Sequence, residues 1–179
     1  MNANTADDLG DLHARITAAI QAQFPALQTA EFYREDRDAL PTPACLLSLE
    51  EMEDAPSIDP GTDQLAVMAR FEADLILGFR TPEAKLSARK LAAAFALFVH
   101  RDLRRIVRKV GPPEAIHAYR SDFKPELDKY EVWTVEWRMP LHLGDSVWTG
   151  DGIVPTTVYL GFAPEIGIPH EPDYTQVAP

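Results

Sequence analysis

The chain has 179 residues and a net charge of −11, with 46% hydrophobic and 25% charged residues. That suits one soluble globular domain with a real hydrophobic core. Its apolar runs are short and interrupted, which excludes a transmembrane helix. The acidic, polar start Met1-Asn-Ala-Asn-Thr-Ala-Asp-Asp is unlike the basic start and apolar middle of a secretory signal.

In chain order, the first element expected is a helix from about Asp7 to Phe24. Leu9, Leu12, Ile16, Ala19, Ile20 and Phe24 recur at three- and four-residue steps, Thr5 stands as an N-cap with Asp8 three residues on, and Pro25 stops the helix. A short strand at Thr29 to Arg34 follows. Pro41 and Pro43 then bracket a turn before an apolar strand, Ala44 to Leu49. The only cysteine, Cys45, has no partner for an internal disulfide, which suits a reducing compartment, and beside Leu46, Leu47 and Leu49 it reads as a buried, inert thiol. Glu50 to Gln64 reads as a loop with six carboxylates and a tight turn at Asp59-Pro60-Gly61. Its spacing does not match a calcium-binding EF-hand loop.

Leu65 to Phe79 alternates for fifteen residues. Leu65, Val67, Ala69, Phe71, Ala73, Leu75, Leu77 and Phe79 fall on one side, as in an antiparallel strand with one buried face. At ~3.3 Å per residue it spans about 50 Å, so it is expected to bend or to project as an arm for another subunit. Thr81-Pro82-Glu83 then reads as a helix start with Thr as N-cap and Pro at the first position. The apolar stripe Leu91, Phe95, Phe98, Val99, Leu103, Ile106 and Val110 carries that helix to Gly111-Pro112-Pro113. A strand near Ala115 to Arg120, a turn through Asp122 to Asp128, and a second alternating strand from Tyr130 to Leu143 complete the core. Trp133, Val135, Trp137, Met139, Leu141 and Leu143 share a face of that strand, and Pro140 demands an edge or a bulge. From Gly144 the chain is rich in Gly and Pro, with one further short strand around Thr157 to Phe162 and then a loosely held tail.

The expected fold class is α+β: a mainly antiparallel sheet with two helices packed on one face, in the order α-β-β-β-α-β-β, plus an extended C-terminal tail. Residues 1–145 form one domain and 146–179 an extension.

No catalytic signature accompanies this pattern. His13, His100, His117, His142 and His170 lack zinc-ligand spacing, and there is no Gly-x-Gly-x-x-Gly, Walker loop or Gly-x-Ser-x-Gly elbow. Glu72 and Asp74 share a strand face, but Arg70 and Arg80 on that face make ion pairing the simpler reading of them. The expectation is a protein that is not an enzyme and takes no cofactor. Charge is uneven: Lys85 to Lys109 holds eight basic residues and one acid, and the remainder has nine basic and 27 acidic residues. Such a surface repels nucleic acid over most of its area while offering one basic helix to something negative.

The element order resembles that of the tail-terminator, or tail-completion, proteins of long-tailed bacteriophages and their prophage relatives. The residues that carry the likeness are Ile16 to Pro25 (Ile-Thr-Ala-Ala-Ile-Gln-Ala-Gln-Phe-Pro), Leu40 to Leu49 (Leu-Pro-Thr-Pro-Ala-Cys-Leu-Leu-Ser-Leu), Arg70-Phe71-Glu72-Ala73, and Trp133 to Trp137 before Leu141-His142-Leu143-Gly144. It spans roughly residues 7 to 145, and the tail after Gly144 stands outside it. The resemblance implies a ring, usually of six subunits, that caps the tail tube and joins it to the head. It implies as partners other copies of the chain, a tail-tube protein and a head-completion protein, with no membrane and no sequence-specific nucleic acid. The implied location is the cytoplasm of the bacterial host and then the virion tail. In such a ring a basic helix with Arg101, Arg104, Arg105 and Arg108 is expected to face the acidic Glu50, Glu51, Glu53 and Asp54 of a neighbour. Another head–tail joining or neck protein, a small-ligand binding module and a small hydrolase are the competing readings.

Overall fold

The computed structural model describes residues 3–34, 40–59, 61–78, 80–103, 105, 111–121, 130–147 and 157–178, with side chains from residue 9 to residue 177. The chain divides into two units, Met1–Ser146 and Val147–Pro179.

The first unit is an α+β fold whose frame is a pair of fourteen-residue strands, β3 (Leu65–Gly78) and β5 (Tyr130–Leu143). They pair antiparallel without a break, from Leu65 opposite Leu143 to Gly78 opposite Tyr130. Alternation puts Val67, Ala69, Phe71, Ala73 and Leu75 on one face with Val135, Trp137, Met139 and Leu141, and all are buried. Leu65 belongs to this face by period but sits at the strand's outer end and is 55% exposed. Phe79, assigned to the same face, lies outside the described residues.

Three shorter strands complete the sheet: β1 (Thr29–Phe32), β2 (Ala44–Asp54) and β4 (Glu114–Arg120), in the order β1-β2-β3-β5-β4. All neighbours are antiparallel except β1 and β2. The parallel pair is pinned at its start by carbonyls of the Pro41–Pro43 segment. Gln28 donates through its backbone N–H to Pro43 O at 2.8 Å and through Nε2 to Thr42 O at 2.6 Å. The Thr29 hydroxyl donates to Pro41 O at 3.1 Å.

β3 does not project as a lone arm. β5 accompanies its whole length, and β2 pairs with it from Val67 to Ile76, with a bulge between Leu49 and Glu51. β2 therefore runs five residues past the Leu49 end expected for it. The ladder continues through Glu51 opposite Arg70 to Asp54 opposite Val67, and those bonds outweigh the low strand preference of the acids. The connection shrinks to residues 55–64. Gly61 adopts φ +69° there and donates its N–H to Asp59 Oδ1 at 2.8 Å, the local bonding such a turn needs.

Two helices cover the Phe71–Trp137 face. Helix α1 (Ala3–Gln23) buries Leu12, Ile16 and Ile20. It begins four residues earlier than expected, so Thr5 lies inside it and is not a cap. Helix α2 (Ala84–Phe98) buries Ala88, Ala92, Phe95 and Phe98 and continues as a π turn, Val99–Leu103. Its N-cap is Glu83 in the left-handed region, φ 49°, not Thr81. The Thr81 N–H instead donates to Gly78 O at 2.9 Å, turning the chain off the end of β3 before the helix starts. Ile106 and Val110, assigned to the helix stripe, lie outside the described residues.

Aromatic rings join these layers. Phe71 stacks on Trp137 with centroids 5.5 Å apart, Trp137 meets Phe95 at 6.2 Å, and Phe24 meets Phe95 and Phe98 at 5.6 Å. Each large ring buries apolar area and adds ring–ring attraction of roughly 0.5–1.5 kcal/mol. Cys45 is fully buried in this core, and burial, with Asp74 nearby, pushes its thiol far above the ordinary range. A thiol so held is inert at neutral pH.

Pro140 resolves as an edge. β4 pairs with β5 no further than Glu114 opposite Arg138. Beyond it Gly111 donates its N–H to Pro140 O at 3.3 Å, so the proline's missing donor faces the open side of the ladder. Ala115, at the bulge between Glu114 and His117, takes φ 48°.

The second unit differs from the loose extension expected. Strands β6 (Val158–Leu160) and β7 (Thr175–Ala178) pair antiparallel across a connection containing a 3-10 turn, Ile168–Asp173. The Tyr174 hydroxyl accepts from the Gly167 N–H at 2.6 Å.

Candidate interaction surfaces

The sheet face opposite the helices grades from apolar to charged. At one end Leu40, Ala44, Leu46, Ile76 and Val132 form a small buried cluster edged by Tyr130. Next along the sheet, the Thr134 hydroxyl donates to Asp74 Oδ1 at 2.8 Å, and Asp74 is buried. Arg70 comes next, 3.0 Å from Glu51 across to β2, 3.0 Å from Glu72 on its own strand and 3.7 Å from Glu136 across to β5. Its hydrogen bond to Glu51, with Glu136 and Glu72 close by, raises the guanidinium above its ordinary value. Arg138, directly opposite Arg70 on β5, lies 3.7 Å from Glu53. Tyr119 of β4 shares this face, and burial and the surrounding carboxylates push its phenol up. The Glu72–Asp74 pair thus serves ion pairing and hydrogen bonding within the sheet.

The residues proposed as the two halves of a subunit contact are distributed as follows. Glu50, Glu51, Glu53 and Asp54 are exposed, but on strand β2 and not in a loop. Glu51 and Glu53 already have cations of their own chain, Arg70 and Arg138. On the basic side, Arg101 is exposed on the π turn and pairs with the adjacent Asp102 at 3.2 Å, which raises the guanidinium. Arg105 is exposed; Arg104 and Arg108 lie outside the described residues.

Not every cation of the basic stretch points outward. Arg89 of α2 lies 5.2 Å over the Trp133 ring and 3.8 Å from Glu131 Oε1, which Arg120 of β4 approaches at the same distance. Glu131 is 8% exposed, so these cations offset a largely buried carboxylate and fasten α2 to β5. Sequence reasoning missed this link because it depends on a helix and two strands meeting at one point.

The outer side of α2 exposes Leu86 and Leu97. The second unit exposes more: Phe162 at 74%, Ile168 at 82%, and Tyr159, Ile166 and Val177 at more than half. The sequence signal was apolar residues in a Gly/Pro-rich segment, Tyr159 and Phe162 in the short strand expected there and Ile166, Ile168 and Val177 beyond it.

The histidines occupy separate places. His13 stacks on Phe32 at 4.0 Å with Nε2 buried and without a hydrogen bond, and burial lowers its pKa. His142 Nε2 lies 3.0 Å from Ile58 O, and His170 Nδ1 lies 3.6 Å from Asp173. Among the described residues no group of three or more His, Cys, Asp or Glu is placed to hold a metal ion. None of the described helices is long and apolar enough to cross a membrane. Set against known proteins, the chain matches no family model, and no curated protein is significantly similar to it.

Proposed function

We propose that the protein is a structural subunit of a homo-oligomeric assembly, a ring of the tail-terminator kind that caps a phage tail tube and joins it to the head. Its partners on this reading are copies of itself, the tail-tube protein and a head-completion protein, first in the host cytoplasm and then in the virion. The observation that carries it is the second unit. None of its described side chains is buried, yet it presents Phe162, Ile166 and Ile168 to water. An exposed apolar patch that its own unit cannot cover is the mark of an association surface. The order α-β-β-β-α-β-β agrees with the resemblance, and the work assigned to such a subunit is binding, with no chemical step.

The test is sedimentation velocity over a range of protein concentration, with negative-stain imaging of any assembled species, alone and with purified tail tubes. Closed rings that bind tube ends are expected. Rings that bind portal complexes in place of tubes would assign the protein to the neck. A chain that stays monomeric at high concentration, with tubes present, would remove the reading.

A further inference from the structure

We infer that the outward face of α2 is the docking site for the C-terminal unit of a second copy of this chain, held by apolar contact and by opposite charge. The inference rests on the reading of the protein as an assembly subunit and names the two surfaces that meet.

α2 is amphipathic in an incomplete way. Its inward side is sealed against the sheet by Ala88, Ala92, Phe95 and Phe98. Its outward side carries Leu86, Lys90, Ala93 and Leu97 at steps of four, three and four, which places them in one stripe. Leu86 is 45% and Leu97 53% exposed. A solvated helix face gains nothing from two leucines flanking an alanine. Lys90 stands within the stripe, Lys85 and Arg101 lie at its two ends, and all three are exposed. The surface therefore combines exposed apolar side chains with positive ones, a mixture suited to a contact that uses both apolar burial and charge.

The C-terminal unit is its complement. Residues 147–179 contain four acids and neither lysine nor arginine. Glu165, Glu171 and Asp173 are exposed beside the apolar Phe162, Ile166 and Ile168. On β2, Glu51 and Glu53 are already engaged by Arg70 and Arg138 of their own sheet, which leaves less negative charge there for a second copy. Two unlike, complementary surfaces on one chain make a heterologous contact between copies, and such contacts close into rings when the rotation allows. The occupant is thus a second copy.

Charge reversal in full-length chains tests this. Lys85→Glu with Lys90→Glu reverses the helix face, and Glu165→Lys with Glu171→Lys reverses the tail. All four positions are exposed, so both variants are expected to fold, which far-ultraviolet circular dichroism checks. Each variant alone should lose about tenfold in association constant by sedimentation at about 0.15 M salt. An equimolar mixture should recover wild-type assembly, since each reversed helix then meets a reversed tail. Variants that both assemble like the wild type would overturn the docking while leaving the subunit reading intact. A loss that mixing does not repair would assign the contact to a single chain and overturn the inference. A wild type monomeric with and without tail tubes would overturn both. Phe162→Ser with Ile168→Ser changes no charge and should weaken assembly comparably. If it assembles fully, the docking is overturned even where a charge variant fails to fold.

Discussion

Gly111 and His13 show how single positions are set by neighbours that are remote in sequence. A Cβ on Gly111 would stand 2.2 Å from Pro140 Cγ, so the close approach of the two backbones needs a residue without one. Gly111→Ala is expected to cost about 1–3 kcal/mol by overpacking. Adding Pro140→Ala should recover most of that loss, since the opposing ring atom is gone. Urea denaturation of the three variants checks this, and equal losses in the single and double variants would refute it. His13 is governed by burial alone: its ring lies on Phe32, its Nε2 has no partner, and its pKa is lowered from 6.5. The unfolded chain binds a proton below that value and the folded chain resists it, so stability falls as pH drops through 6.5 toward the folded pKa. Melting curves from about pH 7 to about pH 5 should fall less steeply for His13→Phe than for the wild type. Identical slopes would show that His13 is not a source of the dependence.

At the level of elements, the open sheet face is held by charge where the opposite face is held by rings. Arg70 spans three strands through Glu51, Glu72 and Glu136. It is 28% exposed at the side chain, so the network is neither fully screened nor fully buried. Arg70→Met keeps the stem and removes the cation, leaving three carboxylates facing one another across β2, β3 and β5. The expected loss is about 1–2 kcal/mol, well above that of an exposed surface pair. It should shrink in high salt, where the new repulsion is screened. Guanidinium is itself a salt, so urea is the denaturant for this comparison. A variant as stable as the wild type would show that β-ladder bonds alone hold this face.

For the molecule as a whole, a net charge of −11 works against self-association. Copies repel over a screening length of ~30 Å at about 0.01 M salt and ~8 Å at about 0.15 M. The proposed contact is short-ranged and partly apolar, so it is screened less than that long-range repulsion. Assembly is therefore expected to be stronger at about 0.15 M than at about 0.01 M salt. Sedimentation at the two concentrations measures it. Tighter assembly in the lower salt would mean that opposite charges, more than apolar contact, drive association.

The sequence by itself determined the element types and the sheet's two faces. A period of two over β3 and β5, and of three to four over α1 and α2, follows from local backbone geometry, which a single segment carries within itself. Tyr130–Leu143 matched residue for residue because its alternation is unbroken at both ends. The candidate interface was legible only as charge. That Glu50–Asp54 belongs to a strand, and that Arg70 and Arg138 partly neutralise it, depends on the β2–β3 and β3–β5 ladders joining distant segments. The inward turn of Arg89 onto Trp133 and Glu131, and the pairing of β6 with β7 in a Pro-rich segment, are likewise long-range events. Local pattern reports which side of an element wants water. Only the tertiary structure decides which charges meet and which apolar side chains are left uncovered, because both depend on what the rest of the chain brings alongside.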